Sequence, residues 1–438
     1  MSTVAEVRLW GRTIGAVSLG NDDDVAAFEY DPDFARSGIE IAPLTMPLSN
    51  RVYTFPELSR RTFYGLPGLL ADSLPDKFGH VLIDAWLATL GRQPDSFNVV
   101  ERLCYTGERG MGALEFAPAT GPKARQASRI QIDKLVELAS EVLTRRNDLR
   151  ASFVDGSADA IKAQALTDIL RVGTSAGGAR AKAVIAWNPS TNEVRSGQIP
   201  AGEGFEYWLL KFDGVHGNRD KELEDPRGYG VIEYAYYKMA RDCGIDISEC
   251  RLFEENGRRH FMTRRFDRLA GGEKLHMQSL CALAHYDFNM AGGYAYEQAL
   301  LVIRRLGLPM RAIEEQFRRM AFNIIARNQD DHVKNIAFLM DKTGQWSLSP
   351  AFDVTYSFNP AGAWTASHQM TLNGKRDDFT MDDFKACAKA ASMKRGRAET
   401  IVNEVRETVS RWKRYAEAAG LPVSMRDRIQ RTFRLKDF

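Results

Sequence analysis

The sequence predicts an α+β protein of two lobes, with strands concentrated in its first part and helices in its second. Strand-like segments around one prominent helix fill residues 125–270, and apolar side chains recur at three-to-four spacing after residue 275. A further strand-bearing segment, residues 1–120, precedes both. Because 438 residues suffice for two or three substantial cores, we predict that these three zones are domains.

The first zone, residues 1–120, is predicted to be a small N-terminal subdomain. Its opening, "AEVRLWGRTIGAVSL", reads as two strands, with Gly11, Arg12 and Thr13 as the turn of a hairpin. A largely helical stretch then ends at Gly91, and a glycine-rich loop leads into a short strand in "GERGMGALEFAPA". The turn-rich link "TGPKARQAS" predicts the boundary with the next zone.

The second zone, residues 125–270, is predicted to be a lobe built on a twisted sheet. The predicted helices are "IQIDKLVELASEVL" and "VIEYAYYKMARDCG". The glycine-rich loop is "VGTSAGGARAK", and the predicted strands are "AKAVIAW", "EYWLLKF" and "HFMTRRFDR". The loop offers small residues whose N–H groups could approach a phosphate. It has neither the Walker A nor the GxGxxG pattern, so a flexible turn is the alternative.

One lysine of this zone needs a partner. In "EYWLLKF", Tyr207, Leu209 and Lys211 alternate onto one face, so Lys211 points where apolar groups point. An unpaired buried ammonium would lose its proton, and Glu233 on the next helix is the predicted partner, with phosphates as the other candidate. A strand-end lysine whose ammonium reaches water is the alternative.

The third zone, residues 275–438, is predicted to be a helical lobe that carries one hairpin. A packed helix runs out near Arg327, and the loop "NQDDHVKN", the strand "IAFLM", the turn "DKTGQ" and the strand "WSLSP" follow. An antiparallel return brings the chain back to where the hairpin began. Asn335 before the first strand and Asp353 after the second should therefore lie side by side, with Asp330 nearby.

These three side chains suit a particular chemistry. An amide oxygen and a carboxylate can ligate Mg²⁺, which prefers oxygen and is commonly held together with phosphate oxygens. Asp330 is then free to accept a proton from a hydroxyl nucleophile, which is the division of labour in protein-kinase chemistry. The alternative is a polar loop of turn-forming Asp and Asn residues.

Composition excludes several other classes. The balance of 59 basic and 57 acidic residues argues against a protein that holds nucleic acid by bulk charge, with a local basic patch as the alternative. Five scattered cysteines without CxxC predict buried reduced thiols and a cytoplasmic protein, and seven histidines without HExxH argue against zinc catalysis. No apolar run approaches the ~20 residues of a membrane span, and "MSTVAEVRLW" shows no signal peptide, so no membrane contact is expected.

The strongest motif is "NQDDHVKN" followed by "SPAFDVTYS", in which Asp353 follows Asn335 by 18 positions. Its D-x-H-x-K-N core stands at Asp330, His332, Lys334 and Asn335. With these residues the chain resembles HipA-type serine/threonine kinases, the toxin half of bacterial toxin–antitoxin pairs, over nearly its whole length. The resemblance implies a bilobal protein-kinase-like fold with an extra N-terminal subdomain.

The resemblance also implies roles for individual residues. Asp330 would be the catalytic base, Asn335 and Asp353 the Mg²⁺ ligands, and Lys211 a phosphate ligand paired with Glu233. Loop "SAGGARAK" resembles the family's phosphate loop, with Ser175 as an autophosphorylation site that shuts the kinase off. The remaining implied nucleotide contacts include main-chain groups of the hinge strand "MTRRFDR" and lie at Ser175, Ala176, Gly177, Gly178, Arg264, Phe266, His332 and Lys334.

Cofactors and partners follow from the same resemblance. It implies ATP and Mg²⁺, a HipB-like helix-turn-helix antitoxin, DNA contact only through that antitoxin, and a protein substrate such as an aminoacyl-tRNA synthetase. One alternative is a catalytically idle kinase-fold module that acts through an antitoxin–DNA complex, and nucleotide binding without turnover would favour it. The other is a small-molecule phosphotransferase, which a large apolar acceptor pocket would favour and an open cleft would not.

Overall fold

The computed structural model describes residues 3–89, 91–121, 130–144, 169, 173, 180–215 and 228–436. These residues form three antiparallel sheets of five, five and three strands, surrounded by helices. The predicted mixture of sheet-bearing and helical parts is confirmed. The proposed link at residues 122–129 lies outside the described residues, and the domain boundaries stay a prediction.

The first sheet lies in the N-terminal zone. Its strand order is β4-β3-β2-β1-β5, and its strands are β1 Thr3–Leu9, β2 Arg12–Leu19, β3 Ala27–Tyr30, β4 Val52–Tyr53 and β5 Leu114–Ala117. Alternate residues of β1 are buried, as a half-buried strand requires: Ala5, Val7 and Leu9 are almost inaccessible.

The hairpin between β1 and β2 is confirmed, but the predicted turn is displaced. Arg12 and Thr13 belong to β2, and Trp10 with Gly11 makes the turn, at φ values of 51° and 78°. Two-residue turns with both φ values positive match the twist of the flanking strands. Trp10 also donates its indole N–H to the main-chain oxygen of Lys274 at 2.7 Å, which anchors the turn on a distant segment.

The helices that the structure describes before residue 145 are short apart from two of 13 residues. They are α1 Pro32–Ala35, α2 Arg60–Phe63, α3 Gly68–Ala71, α4 Lys77–Thr89, α5 Val99–Thr106 and α6 Ile132–Thr144. The predicted largely helical stretch before Gly91 contains two helices, α3 and α4, and the segment between them contains Pro75. Proline restricts the residue before it and lacks an N–H, so a helix does not continue through this position easily.

The second sheet carries the predicted lysine. Its order is β7-β6-β8-β10-β9, with strands β6 Lys182–Asn188, β7 Glu193–Ser196, β8 Glu206–Lys211, β9 Cys250–Glu255 and β10 Arg258–Arg264. The helix α7, Tyr229–Asp242, packs against β9 and β10. Trp208 and Leu210 form the face of β8 that packs in the core, and both are fully buried. Lys211 lies on the other face of the strand.

The third sheet contains the predicted catalytic hairpin. Its order is β11-β12-β13, with β11 His276–Ser279, β12 Ala337–Met340 and β13 Trp346–Leu348, and β12 pairs antiparallel with β13 as expected. The strand β11 was not predicted. The helices that surround this sheet are α8 Leu280–Ala284, α9 Tyr296–Arg305, α10 Met310–Ile325, α11 Met381–Ala390, α12 Arg397–Ser410, α13 Trp412–Ala418 and α14 Val423–Gln430.

The largest core joins the two ends of the chain. Phe28 and Leu103 of the N-terminal zone belong to the same buried cluster as Tyr236, Phe322 and Trp412. A second core lies between α4, α6 and the second sheet. The cysteines are buried and unpaired, as predicted, and none of the helices in the described part of the chain is long and apolar enough to cross a bilayer.

Candidate active site

A buried ion-pair cluster forms where the second sheet meets the third. The ammonium of Lys211, at the end of β8, donates to Oε1 of Glu233 on α7 at 2.5 Å and also pairs with Oδ1 of Asp353. The side chain of Lys211 is 7% exposed and that of Glu233 is 2% exposed. The pairing of Lys211 with Glu233 is the one that the sequence predicts. A strand, a helix and the segment after the hairpin thus meet at one ammonium.

The charges in this cluster keep one another ionised. Burial alone would lower the pKa of Lys211, but the carboxylates of Asp353 and Glu233 outweigh it and raise that pKa above its ordinary value. Burial would likewise raise the pKa of Asp353, but Lys211 and Lys182 hold it well below its usual range. Asp353 is therefore an anion, as a metal ligand must be.

Asp353 also has an unusual backbone. Its φ is 53°, in the left-handed region that residues other than glycine adopt rarely. Such conformations concentrate at functional sites, where the surrounding structure fixes them. The conformation places the Asp353 side chain, which is 31% exposed, between Lys211 and the space in front of the hairpin.

The loop between α10 and β12 carries the other predicted residues. Val333–Asn335 forms a short 3-10 turn, and Asn335 donates its side-chain N–H to the main-chain oxygen of Asp330 at 2.8 Å. That bond uses the donor end of the amide and leaves its oxygen as an acceptor. The Asp330 side chain is 44% exposed, and Nε2 of His332 lies 3.8 Å from its Oδ1.

His332 links this loop to Asp353. It is close enough for its charge to help lower the pKa of Asp353, after burial and the two lysines. Among the described residues, its buried Nδ1 has no hydrogen-bond partner. Buried polar atoms are nearly always paired, so this nitrogen is available to a ligand. His332 and Asn335 therefore contact Asp330, and His332 also acts on the charge of Asp353. The individual roles of these four residues stay predictions.

The ammonium of Lys334 is already paired with a carboxylate. Its ammonium pairs with Asp76, just before α4, and lies 5.2 Å from the ring centroid of Phe288. Burial alone would lower the pKa of Lys334, but Asp76 and Asp72 raise it. The ammonium holds the N-terminal subdomain against the loop of Asp330. The nucleotide contact of Lys334 stays a prediction.

The predicted hinge contacts are only partly available. The main-chain N–H of Arg264 donates to the oxygen of Glu249 at 2.8 Å, and its carbonyl accepts from Ser248 Oγ at 2.6 Å. The N–H of Arg264 is thus already bonded, whereas its carbonyl oxygen keeps a second lone pair. The adenine contact of Arg264 stays a prediction. In the described part of the chain, the main chain of Phe266 makes no hydrogen bond, and its ring lies 5.7 Å from that of Phe352.

The predicted phosphate loop, Ser175, Ala176, Gly177 and Gly178, lies outside the described residues. Its continuation is described, and it holds two residues that the sequence analysis did not assign. Arg180 Nη1 is 3.5 Å from Oε2 of Glu233, and Lys182 stands directly opposite Lys211 on the neighbouring strand. Lys182 is 1% exposed, and burial lowers its pKa to about 8. The sequence feature that could have identified Lys182 is its position at the start of an apolar strand, just after a glycine-rich segment.

Replacing Lys182 with methionine is expected to stabilise the ligand-free protein by about 3 kcal/mol near pH 7. Folding holds the pKa of Lys182 at about 8, below about 10.4 in the unfolded chain. The fold therefore disfavours the ammonium at every pH below 8, and this penalty disappears as the pH rises toward 10.4. Urea denaturation near pH 7 and about pH 9.5 measures the shrinking difference.

The control for this variant is Lys385→Met, because the Lys385 side chain is 47% exposed. It should leave the free energy of unfolding unchanged at both pH values. A Lys182→Met protein that is less stable than its parent near pH 7 would show that this ammonium stabilises the fold.

The donor set fits Mg²⁺ held together with phosphate. Asp353 supplies a carboxylate and Asn335 an amide oxygen, whereas Lys182 and Lys211 supply cations. The described residues contain no group of three or more His, Cys, Asp or Glu side chains placed to hold a metal. Mg²⁺ is usually bound by one or two carboxylates with waters and phosphates, so a site of few protein ligands suits it.

A buried lysine–glutamate pair between a strand and a helix, beside an Asp, Asn and Asp set, is the arrangement of the protein-kinase-like class. The fold is therefore kinase-like. Residues 5–117 match the family model of the HipA N-terminal domain, and residues 174–412 match that of the HipA-like C-terminal domain. The chain belongs to the HipA family.

Similar proteins agree with this assignment. HipA of Shewanella oneidensis MR-1, solved as a toxin–antitoxin complex with HipB and operator DNA, shares the fold at a TM-score of 0.67 and 17% identity, over 98% of this chain and 95% of that one. Two Sinorhizobium fredii proteins provisionally named as kinases, Y4dM and Y4mE, are 24% and 23% identical to it, over 48% and 40% of this chain. These matches cover 55% and 44% of the relatives, so the chain spans about half the length of the curated relatives it matches.

Proposed function

We propose that the protein is a kinase that transfers the γ-phosphoryl group of ATP, with Mg²⁺, to a serine or threonine hydroxyl of a protein. The observation that carries the proposal is the ammonium of Lys211, which pairs with Glu233 and Asp353 at once. Active protein kinases require the lysine–glutamate pair and the metal-binding aspartate to be in place together. The half-exposed Asp330 favours an open cleft, and hence a protein acceptor over a small metabolite.

Each residue has one part in the proposed reaction. The acceptor oxygen bonds to the γ-phosphorus, the bond from that phosphorus to the β-phosphate oxygen breaks, and ADP leaves. The hydroxyl proton passes to the carboxylate of Asp330, while Lys211 and Lys182 hold phosphate oxygens. Asn335 and Asp353 would hold Mg²⁺, which when bound neutralises charge on the phosphates. Positioning and electrostatics supply the rate.

We also propose a biological setting for this activity. The fold shared with a HipA that was solved with HipB and operator DNA supports a HipB-like helix-turn-helix antitoxin as the partner. DNA contact would then be indirect, through the antitoxin. The proposed protein substrate is a translation component such as an aminoacyl-tRNA synthetase, and phosphorylation of Ser175 is the proposed means of shutting the kinase off.

Incubating the purified protein with γ-labelled ATP, Mg²⁺ and a bacterial cell extract is expected to label at least one extract protein. Removal of the divalent ion with EDTA should abolish the labelling, because the proposed transfer requires Mg²⁺ held between the phosphates and the oxygens of Asn335 and Asp353. Gel electrophoresis followed by peptide mass spectrometry measures both the labelled acceptor and phosphate on Ser175.

The control is the same incubation without extract, which isolates self-labelling. Labelling that persists in EDTA would contradict the metal requirement. The absence of label from every protein, including the chain itself, would contradict the kinase. An unmodified Ser175 in an active preparation would remove the proposed shut-off and leave the kinase intact.

A further inference from the structure

The indole of Trp364 lies against the carboxylate of Asp330. Its Nε1–H donates to Oδ1 of Asp330 at 2.7 Å. An indole nitrogen is a donor only, and a partly buried one needs an acceptor. Because the acceptor here is ionised, the bond is of the stronger, charge-assisted kind. Trp364 belongs to the segment after Asp353, so the same stretch of chain supplies the proposed metal ligand and a contact to the proposed base.

The loop that carries Trp364 is closed on itself. Asn359 N–H donates to the oxygen of Thr365 at 3.2 Å, and Gly362 N–H donates to the oxygen of Asn359 at 3.0 Å. The side chain of Gln369 donates to the main-chain oxygen of Trp364 itself. These bonds fix the backbone from which the indole projects.

Both ends of this loop are bound to residues that flank Asp330. On one side, Ser357 N–H donates to the oxygen of Arg327 at 3.1 Å, and the Arg327 guanidinium lies 4.5 Å from the ring centroid of Phe358. On the other side, Gln369 N–H donates to Oδ1 of Asp331 at 2.7 Å. The position of the indole is therefore set relative to the loop of Asp330 by hydrogen bonds from main-chain N–H groups on both sides.

Asp331 itself is held firmly. It is buried, accepts the Tyr296 hydroxyl at 2.5 Å and lies 2.7 Å from Nδ1 of His368. Burial alone would raise the pKa of Asp331, but His368 and the hydrogen bonds lower it, so the carboxylate stays charged. The neighbour of the base is thus a fixed internal anchor, whereas the base is half-exposed.

The two oxygens of Asp330 are consequently unequal. Oδ1 takes the indole N–H, whereas no group among the described residues donates a hydrogen bond to Oδ2. We propose that Trp364 is a positioning residue, which holds Oδ1 so that Oδ2 faces the hydroxyl of the acceptor. This inference rests on the proposed kinase function. The tip of the loop, residues 360–363, carries no charged side chain.

The test uses Trp364→Phe, which keeps an aromatic ring and removes the donor. With the acceptor found in the labelling experiment, and with dephosphorylated casein, we expect kcat to fall about tenfold while the KM for ATP changes less than about twofold. Trp346→Phe is the matched control, because its indole N–H donates to the main-chain oxygen of Glu40 at 3.1 Å, and it should leave kcat unchanged.

A second measurement detects the hydrogen bond between Trp364 and Asp330 without any catalytic turnover. Protein labelled with ¹⁵N-tryptophan should give seven indole N–H signals, and the one missing from Trp364→Phe identifies Trp364. Replacing Asp330 with alanine should shift that signal and leave the signal of Trp346 in place, because only the former loses a charged acceptor.

The outcomes separate the inference from the function on which it rests. A parent protein that labels nothing contradicts the kinase, whereas an active parent with an equally active Trp364→Phe contradicts the positioning role alone. A Trp364→Phe variant that is faster than its parent would also overturn the positioning role, because Trp364 would then block Asp330. If the indole N–H signal of Trp364 does not shift in Asp330→Ala, the hydrogen bond between the two residues is contradicted whatever the activity.

Discussion

Replacing Asp330 with alanine is expected to lower phosphoryl transfer by about 10³-fold or more while leaving the fold intact. The loss follows because the acceptor hydroxyl would have no carboxylate to take its proton. The fold survives because the Asp330 side chain is 44% exposed and lies in a loop whose anchor is the neighbouring Asp331. Labelled-phosphate transfer under single-turnover conditions measures the rate, and urea denaturation measures the stability.

The control for this variant is Asp382→Ala, since Asp382 is 91% exposed in the first turn of α11. It should leave both the rate and the free energy of unfolding unchanged. Binding of ATP with Mg²⁺ should also survive in Asp330→Ala, because the proposed phosphate and metal ligands are other residues. A variant that transfers phosphate as fast as its parent would contradict the assignment of the base.

Replacing Lys211 with methionine is expected to destabilise the protein by about 3 kcal/mol and to abolish ATP-dependent stabilisation. Removing one partner of a buried ion pair leaves the other charge without its partner. Among the described residues, Glu233 then retains only Arg180, at 3.5 Å, and Asp353 loses the cation that pairs with it directly. Urea denaturation gives the change in stability, and a thermal shift with ATP and Mg²⁺ reports binding.

The double variant Lys211→Met, Glu233→Gln separates these two effects. Removing the second charge should recover part of the lost stability, whereas ATP-dependent stabilisation should stay absent because no cation replaces Lys211. Lys385→Met, at an exposed pair with Glu399, should change stability by less than about 0.5 kcal/mol. A double variant no more stable than Lys211→Met would show that Lys211 and Glu233 are not coupled.

Elements defined by short-range pattern were predictable. The strand β8, the helix α7 and the hairpin of β12 and β13 each follow from apolar periodicity and turn residues within about 20 positions. The Lys211–Glu233 pair was predictable because an ammonium next to core positions requires an anion, and the next helix offered one. The motif of Asp330, Asn335 and Asp353 could be read directly because its members lie in one segment.

Errors arose where local pattern has more than one solution. The turn at Trp10 and Gly11 was misplaced because Gly11 suits several turn registers, and the anchor that selects one lies at Lys274. The strand β11 was missed because its four residues make an edge only once β12 is beside it.

By itself, the sequence determined β8, α7 and the hairpin of β12 and β13, the need for an anion beside Lys211 and the oxygen chemistry of the hairpin. Only the tertiary structure decided that Lys334 pairs with Asp76, that Lys182 faces Lys211 and that Trp364 bonds to Asp330. The physical reason is sequence separation. Apolar period and turn preference act over a few residues, whereas each of these contacts depends on packing between elements that are far apart in the chain.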